Sequence, residues 1–180
     1  MVAAAVVLRP GTRIDGMDDS KRLTRAAREE LDAVIRARAM AVAVGLVDAA
    51  TIDRVNVLEA TRRAMRQALE ALDVEPELVL TDFVALEGLK CPQRNLVRGD
   101  QRSATVAAAS IIAKVARDTL MAEVDREYPQ YGFGRHKGYP TADHRAALRA
   151  HGPCPMHRQS FAGVAQPDLF DYAQGANRAD

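Results

Sequence analysis

The chain has no tryptophan, few aromatic residues and only two cysteines, and these shortages exclude several classes of protein. Cys91 and Cys154 lie far apart in the sequence, so no disulfide framework is indicated and a reducing cytosol is the expected compartment. Long apolar runs are also missing. The apolar run at the N-terminus, residues 1–8, is too short to span a membrane. No basic stretch precedes that run, as it would in a signal peptide. We therefore expect a cytoplasmic protein without a membrane segment.

A large excess of charge of either sign is absent as well. The 25 Lys and Arg residues nearly balance the 24 Asp and Glu residues, so no global field marks a binder of polyanions. The segment 131–164 differs, because Asp143 is its only acid and all four histidines fall within it. Such a segment can meet phosphates, and it can equally be an ordinary charged surface. The length of 180 residues and the 48% hydrophobic content suit one domain with a sizeable core.

Two short runs that end in an aspartate are the most informative feature present. Residues 78–82 and 95–100 are typical of buried strands, which would hold Asp82 and Asp100 at the edge of the core. Two carboxylates in such positions could converge on one divalent cation, as metal-assisted chemistry on a phosphate requires. Alternatively, both acids simply start loops, where Asp is common. The residues alone leave both interpretations open.

Apolar periodicity predicts the remaining elements. Residues 2–8 and 41–47 are expected to be strands, the first of them buried on both faces. Helices are expected over residues 25–38 with Thr24 as the cap, over 51–72, over 104–126 with Ser103 as the cap, and over 142–150. A glycine-rich irregular loop is expected between residues 131 and 139. Because strands and helices alternate, we predict an α/β protein with a single sheet covered by helices.

The predicted helix over residues 51–72 should bury one stripe of large side chains. Spacing close to the helical period places four of them on one face: Leu58, Met65, Leu69 and Leu72. By the same reasoning, the predicted first helix buries Leu31, Val34 and Ile35. These stripes are the faces that we expect to pack on the sheet.

Two other kinds of site find little support in the residues. The spacing of Cys154 and His157 is typical of a metal site, but no second close pair accompanies it, so no zinc site is expected. A small phosphatase that uses Asp82 is disfavoured, because no glycine loop that could cradle a phosphate follows residues 2–8 or 78–82.

Taken together, the motifs of residues 2–164 resemble bacterial ribonuclease HII. Any one of them is weak, and their specificity comes from their number and their order along the chain. They are Val2-Ala-Ala-Ala-Val-Val-Leu8, Asp18-Asp-Ser-Lys-Arg-Leu23, residues 52–66, residues 78–82, Val97-Arg-Gly-Asp100, Ala107-Ala-Ala-Ser-Ile-Ile-Ala-Lys114, Tyr131-Gly-Phe133, His136-Lys-Gly-Tyr139, Gly152-Pro-Cys-Pro155 and His157-Arg-Gln-Ser-Phe161.

The resemblance implies an RNase H-like mixed sheet flanked by helices, over residues 1–164. It also implies a monomeric endonuclease that cleaves RNA in RNA–DNA hybrids and at ribonucleotides embedded in duplex DNA, and so serves DNA repair. The family uses Mg²⁺ or Mn²⁺ held by four carboxylates, of which Asp82 matches the third and Asp100 the fourth. Tyr139 matches the tyrosine that stacks at the ribose–deoxyribose junction, although without the resemblance a packed loop aromatic is the first expectation. Further expected contacts to nucleic acid are Ser20, Lys21, Arg98, His136 and Lys137, and a solvated loop is the alternative for Ser20 and Lys21.

The chain departs from the family at its beginning. The family starts with a central strand that carries an Asp-Glu pair, followed by a Gly-Arg-Gly loop, and neither the pair nor the loop occurs here. The strands at residues 2–8 and 78–82 would lose the partner that they share. An internal start codon, a truncated inactive product and a remodelled protein that no longer hydrolyses are the three explanations, and we favour the first. We expect little nuclease activity from these 180 residues, because half of the ligands are absent.

Residues 165–180 are polar and are expected to form a flexible tail. Within them, Gln166-Pro-Asp-Leu-Phe170 resembles the short peptide with which bacterial replication and repair proteins bind the sliding clamp. Gln166 would form directed hydrogen bonds, while Leu169 and Phe170 would fill an apolar groove. A chance match of five residues is the alternative. The main rival to the nuclease is therefore a non-catalytic fragment that binds nucleic acid or the clamp.

Overall fold

A computed structural model describes residues 1–17 and 23–164 of the chain. The chain divides into two compact units, which are described one at a time. The first contains Met1–Val47 and Leu58–Arg117, and the second contains Asp48–Val57 and the chain from Asp118 onward. Within the described ranges, no helix combines the length and the apolar character that crossing a membrane requires.

The first unit begins with a strand, a helix and a second strand. Strand β1 (Val2–Leu8) pairs antiparallel with β2 (Ala39–Leu46), and helix α1 (Arg25–Arg38) connects them. The helix starts where the sequence predicts, because the Thr24 hydroxyl oxygen accepts a hydrogen bond from the Ala27 N–H at 3.2 Å. This cap satisfies one of the backbone donors that the first helical turn leaves unpaired.

The core of the first unit forms where α1 and α5 (Ala104–Glu127) pack with β1. Ile35 on α1 and Ile111 on α5 are fully buried there, and Val34 is partly buried, as its predicted stripe requires. β1 is covered on both faces, though only in part: the consecutive residues Ala5 and Val6, which point to opposite faces, are buried, and its other residues are half-buried.

A second ladder in the first unit joins β3 (Val79–Asp82) to β4 (Gln93–Leu96) in parallel. The prediction of a single sheet is therefore wrong for the described part of the chain, where the strands form two separate two-stranded sheets. β1 and β3, which the family resemblance would place on either side of a further strand, do not pair with each other.

The predicted helix over residues 51–72 is two helices, α2 (Ala49–Val55) and α3 (Val57–Glu70). It begins before Thr51, because the Asp48 carboxylate caps α2 by accepting a hydrogen bond from the Thr51 N–H at 2.7 Å. Asn56, with φ of 78°, interrupts the helical path. The predicted leucine stripe is wrong at Leu58, which is half exposed, whereas Met65, Leu69 and Leu72 are partly buried. The fully buried residues of α3 are Ala60, Ala64 and Ala68.

The remaining helices follow the second ladder. A short helix, α4 (Gly99–Arg102), precedes α5, and Ser103 caps α5 as predicted by accepting a hydrogen bond from the Val106 N–H at 3.4 Å. In the second unit, the predicted glycine-rich loop is partly helical. It contains a 3₁₀ turn at Pro129–Tyr131 and helix α6 (Phe133–His136). Helix α7 (Ala142–His151) follows close to its predicted position.

The alanine stripe of α3 allows its backbone to approach β2 at Gly45. A Cβ atom added to Gly45 would lie 1.9 Å from the Ala64 carbonyl oxygen. We expect Gly45→Ala to lower the free energy of unfolding by about 3 kcal/mol or more, because neither backbone can move away cheaply. Urea unfolding measures the change. Gly99→Ala is the matched control, since its Cβ would meet Val106 Cγ1 at 3.2 Å and no nearer atom. Equal losses in the two variants would contradict this account.

Candidate active site

The parallel pairing of β3 and β4 places the ends of both strands at one edge. Asp82 is the last residue of β3, and its partner in the register is Leu96, the last residue of β4. The buried Thr81 hydroxyl donates to Asn95 Oδ1 at 3.0 Å and so links the side chains of the two strands. The carboxylate of Asp82 is therefore carried by a strand whose register is fixed by both backbone and side-chain contacts.

The connection between the two strands, residues 83–92, is tied to the strand that follows it. The backbone N–H of Leu86 donates to Gln93 Oε1 at 3.0 Å, and the Gln93 amide donates back to the Leu86 carbonyl. Leu86 itself is 1% exposed. Arg66 on α3 donates to the Glu87 carbonyl at 2.8 Å. These contacts hold the beginning of β4 in place relative to β3.

Asp82 and Asp100 lie next to each other through the backbone of Gly99. The Gly99 N–H donates to Asp82 Oδ1 at 3.0 Å, and Asp100 is the next residue. Asp82 is exposed and Asp100 is half-buried. The structure thus brings the two predicted aspartates to one edge of the sheet. The prediction that Asp100 ends a strand is wrong, because β4 stops at Leu96 and Asp100 lies in α4.

Strained and exposed residues surround this edge. Phe83 and Arg98 both have left-handed backbone conformations, with φ of 65° and 55°. The Phe83 side chain is 77% exposed and that of Val97 is 65% exposed. A bulky residue in this backbone region is costly and is found where the surrounding structure imposes it, often at functional sites. Sequence reasoning missed Phe83, because neither its backbone angle nor its exposure has a local sequence signal.

The two carboxylates match a hard divalent cation in chemistry, since such ions prefer carboxylate oxygens. Asp82 uses one oxygen to accept the Gly99 hydrogen bond, and ionised carboxylates have further acceptor positions on both oxygens. In residues 1–17 and 23–164, no group of three or more His, Cys, Asp or Glu side chains is arranged to hold a metal ion. Asp82 and Asp100 are therefore the two candidate ligands that the described residues offer at this edge.

A different arrangement, built from three buried histidines, dominates the second unit. His157 Nδ1 accepts a hydrogen bond from the Cys154 N–H at 3.0 Å, so its Nε2 carries the proton. His157 Nε2 then donates to His144 Nε2 at 2.9 Å, which leaves the proton of His144 on Nδ1. His144 Nδ1 donates in turn to the Tyr139 carbonyl oxygen at 2.9 Å. The hydrogen-bond network thereby assigns one tautomer to each ring.

The third buried histidine, His136, holds the same segment. Its Nδ1 accepts from the Gly138 N–H at 3.1 Å, and its Nε2 donates to the Tyr131 carbonyl at 2.7 Å. Its ring stacks on that of His144, with 4.3 Å between the centroids. Because both nitrogens are engaged and the residue is only 9% exposed, the structure argues against the predicted direct contact of His136 with nucleic acid.

The other predicted contacts to nucleic acid have varied surroundings. Tyr139 is 55% exposed. Lys137, with φ of 53°, donates from Nζ to the Gly134 carbonyl at 2.7 Å. Tyr139 and Lys137 belong to the second unit, whereas Arg98 lies in the first, beside Asp100. The remaining predicted residues lie outside the described ranges: Ser20, Lys21, Gln166, Leu169 and Phe170.

Burial sets the protonation of the cluster. It lowers the pKa of His157 to about 4 and also moves the pKa of His144 below its usual value. Burial raises the pKa of the Cys154 thiol, whose Sγ lies 3.2 Å from His157 Nδ1. At neutral pH the rings of His144 and His157 and the Cys154 thiol are therefore uncharged, as their hydrogen-bond pattern requires.

One structural residue of the second unit escaped sequence reasoning. The Asp53 carboxylate on α2 accepts hydrogen bonds from the Gln159 N–H at 2.7 Å, the Ser160 N–H at 3.0 Å and the Ser160 hydroxyl at 2.5 Å. The hydrogen bond from the Ser160 side chain is the main cause that holds the pKa of Asp53 below its ordinary value. These contacts fasten the segment after His157 to α2. They join residues more than a hundred positions apart, and no local pattern announces them.

Comparison with known proteins agrees with this fold. The family Ribonuclease HII matches the chain over residues 1–164. A protein of Geotalea daltonii named Ribonuclease HII is 50% identical over 166 residues, which cover 92% of this chain and 77% of the relative.

Solved structures show the same fold at lower identity. The crystal structure of ribonuclease H2 from Pyrococcus horikoshii is similar with a TM-score of 0.70 and 22% identity, and the match covers 92% of this chain and 96% of that one. The crystal structure of Bst-RNase HIII in complex with Mn²⁺ is similar with a TM-score of 0.63 and 19% identity, and the match covers 91% and 59% of the two chains.

The buried histidines should make the stability of the second unit depend on pH. An unfolded histidine titrates near 6.5, and the folded pKa of His157 is about 4, so the unfolded chain binds more protons between these values. The contribution of His157 is thus complete above pH 6.5 and is lost as the pH falls toward 4, by up to about 3 kcal/mol. Urea unfolding between pH 7.5 and 4 measures this slope.

Substitutions at two histidines separate this effect from the titration of carboxylates. We expect His157→Gln to flatten the slope, and His151→Gln to leave it unchanged, because His151 is exposed. The same slope in His157→Gln and in the unchanged chain would show that His157 is not the titrating group.

Proposed function

The chain belongs to the ribonuclease HII family, and from this we propose that it cleaves RNA in RNA–DNA hybrids and at single ribonucleotides embedded in duplex DNA. The products would carry 5′-phosphate and 3′-hydroxyl ends, and the activity would serve ribonucleotide removal in DNA repair. The observation that supports this proposal most directly is the position of Asp82 and Asp100 at one edge of the β3–β4 sheet, joined through the Gly99 N–H.

In this proposal Asp82 and Asp100 bind Mn²⁺ or Mg²⁺. When bound, such a cation supplies Lewis-acid activation of the phosphodiester and of the attacking water. Asp82 contributes carboxylate oxygens from a rigid strand end, and the Gly99 N–H keeps that carboxylate in one orientation. Asp100, half-buried one residue further on, provides the second ligand and helps to position the water. Carboxylates suit these hard cations better than nitrogen or sulfur ligands do.

We assign recognition of the substrate to one aromatic residue and to several basic or hydroxyl residues. The exposed ring of Tyr139 offers a flat surface on which a base or sugar at the ribose–deoxyribose junction can stack. Arg98, exposed beside Asp100, is suited to a phosphate next to the cleaved bond. Lys137, Ser20 and Lys21 are proposed to contact the phosphate backbone. These contacts position the duplex, while Tyr139 distinguishes the junction.

Cleavage by the 180-residue chain itself is expected to be slow. The described residues contain no group of three or more candidate ligands, and a cation held by fewer protein ligands binds weakly. Binding to nucleic acid does not need the full set of metal ligands. This observation therefore favours a chain that binds hybrid duplexes but cleaves them slowly, which is close to the non-catalytic alternative.

Binding of Mn²⁺ tests the proposed ligands without relying on turnover. We expect Asp82→Asn and Asp100→Asn each to weaken Mn²⁺ binding at least about tenfold, since each removes a charged ligand. Titration of the full chain followed by the electron paramagnetic resonance of free Mn²⁺ measures this affinity. Asp73→Asn is the matched control, because Asp73 is an exposed aspartate of the same unit.

A cleavage assay completes the experiment. A duplex with one ribonucleotide is incubated with Mn²⁺ and the full chain or its variants. Any cleavage should be lost in Asp82→Asn and kept in Asp73→Asn. Equal Mn²⁺ affinity in the Asp82, Asp100 and Asp73 variants, or cleavage that survives Asp82→Asn, would refute the assignment of the site.

A second partner is proposed for the C-terminal segment. Gln166, Leu169 and Phe170 have the side chains with which short peptides bind the bacterial sliding clamp, and the basis of this proposal is the sequence alone. We expect Leu169→Ala combined with Phe170→Ala to weaken binding to the clamp at least tenfold, because both apolar anchors are removed. Surface plasmon resonance with immobilised clamp measures the change. Asp168→Ala, at the position just before Leu169, is the control. Unchanged clamp binding in the double variant would refute this proposal.

A further inference from the structure

We propose that His144, supported by His157 and His136, is a positioning residue that fixes the backbone of Tyr139 and thereby aims its exposed ring at the substrate. The inference rests on the role proposed above for Tyr139. It concerns the unit that contains these residues and does not depend on the metal site.

The backbone of Tyr139 is held on both sides. Its carbonyl oxygen accepts hydrogen bonds from His144 Nδ1 at 2.9 Å and from the Thr141 N–H at 2.8 Å, and its N–H donates to the His136 carbonyl at 2.9 Å. The preceding residue, Gly138, is held by His136 Nδ1. The peptide groups around Tyr139 are therefore fixed, while the side chain itself is 55% exposed. This is the arrangement expected of an aromatic ring that is presented to a partner.

The direction of the hydrogen bond from His144 to Tyr139 is set by the contacts of His157. The Cys154 N–H occupies His157 Nδ1, so His157 Nε2 must donate to His144 Nε2, and the proton of His144 must face Tyr139. If His157 were lost, His144 could place its proton on the other nitrogen and offer the Tyr139 carbonyl a lone pair instead. The series of hydrogen bonds from Cys154 through His157 to His144 therefore fixes the tautomer of His144, which donates to the Tyr139 carbonyl.

Aromatic rings prevent the histidines from turning away. Phe133 is 2% exposed, and its ring centroid lies 5.5 Å from that of His144 and 5.1 Å from that of His157. Tyr131 lies 4.8 Å from His157 on the same measure, and its hydroxyl donates to the Gly152 carbonyl at 2.7 Å. Burial lowers the pKa of both His157 and His144, so these two rings are neutral at physiological pH and the direction of the hydrogen bond between them persists.

The first measurement is hydrogen exchange of the backbone amides in the full chain. In His144→Leu, the amides of Tyr139 and Thr141 should lose protection at least about tenfold, because the Tyr139 carbonyl loses a partner. The Gly152 amide, which donates to Leu148 at the other end of α7, should keep its protection. His144→Asn should restore most of the protection at Tyr139 and Thr141, since its side-chain NH₂ lies near the position of Nδ1.

The second measurement is the ratio of affinities for a duplex with one ribonucleotide and for the same duplex in DNA only. It is obtained by fluorescence anisotropy in EDTA, which prevents cleavage. Tyr139→Ala should lower this ratio about tenfold through lost stacking. His144→Leu should lower it about fivefold, and His144→Asn should return it to within about twofold of the unchanged chain. His151→Leu, on the exposed side of the same helix, should have no effect.

The double variant His144→Leu with Tyr139→Ala separates the possible failures. If His144 acts through Tyr139, the double variant has the same ratio as Tyr139→Ala alone. Protection or affinity ratios unchanged by His144→Leu would overturn the positioning role while leaving the proposed function intact. A ratio unaffected by Tyr139→Ala would overturn the role of Tyr139 in recognition, and amide exchange would still decide whether His144 orders the segment. Loss of protection throughout the second unit, including Gly152, would identify His144 as a general packing residue and refute the proposal.

Discussion

The hydrogen bond between the Gly99 N–H and Asp82 Oδ1 is the contact on which the candidate active site depends. It forms because β3 and β4 run parallel, so both chains leave the sheet at the same edge. Gly99 is buried against Asp82, and a Cβ atom there would lie 3.4 Å from Asp82 Cα. The close approach of these backbones brings Asp100 beside Asp82, although the two residues are not in neighbouring strands.

The second unit contains buried histidines, whose nitrogens have to be hydrogen-bonded within the protein. Polar rings are placed inside an apolar cluster, where a charge would be costly and each unpaired nitrogen would lose the hydrogen bonds that water offers. His136 and His144 meet this cost by bonding to backbone groups on either side of Tyr139, and His157 completes the chain to Cys154. The hydrogen bonds that satisfy the buried ring nitrogens also hold the backbone on either side of Tyr139.

Local signals in the sequence were sufficient where the structure depends on neighbours along the chain. Thr24 and Ser103 begin helices as predicted, because a cap bonds to an N–H only three residues away. The buried face of α3 could not be predicted, because Gly45 selects alanines through a contact with another strand. The position of Asp82 at a strand end was predicted correctly, but that of Asp100, in a short helix after the left-handed Arg98, was not. Cys154 and His157, whose spacing is typical of a metal site, are hydrogen-bonded to each other. This contact depends on the buried surroundings of both residues, which their spacing in the sequence does not show.

The exposed edge and the buried cluster place opposite demands on their residues. The proposed cation ligand at the edge has to be reachable, and Asp82 lies at an exposed strand end where its carboxylate accepts a hydrogen bond from the Gly99 N–H. A histidine that donates from one ring nitrogen and accepts at the other has to stay neutral, and burial achieves this for His157 by lowering its pKa to about 4. A histidine would serve poorly at the edge, because hard cations prefer oxygen, and an aspartate would serve poorly in the cluster, because it would be charged and could not donate. The residue types found in each region are therefore those that the role proposed for that region requires.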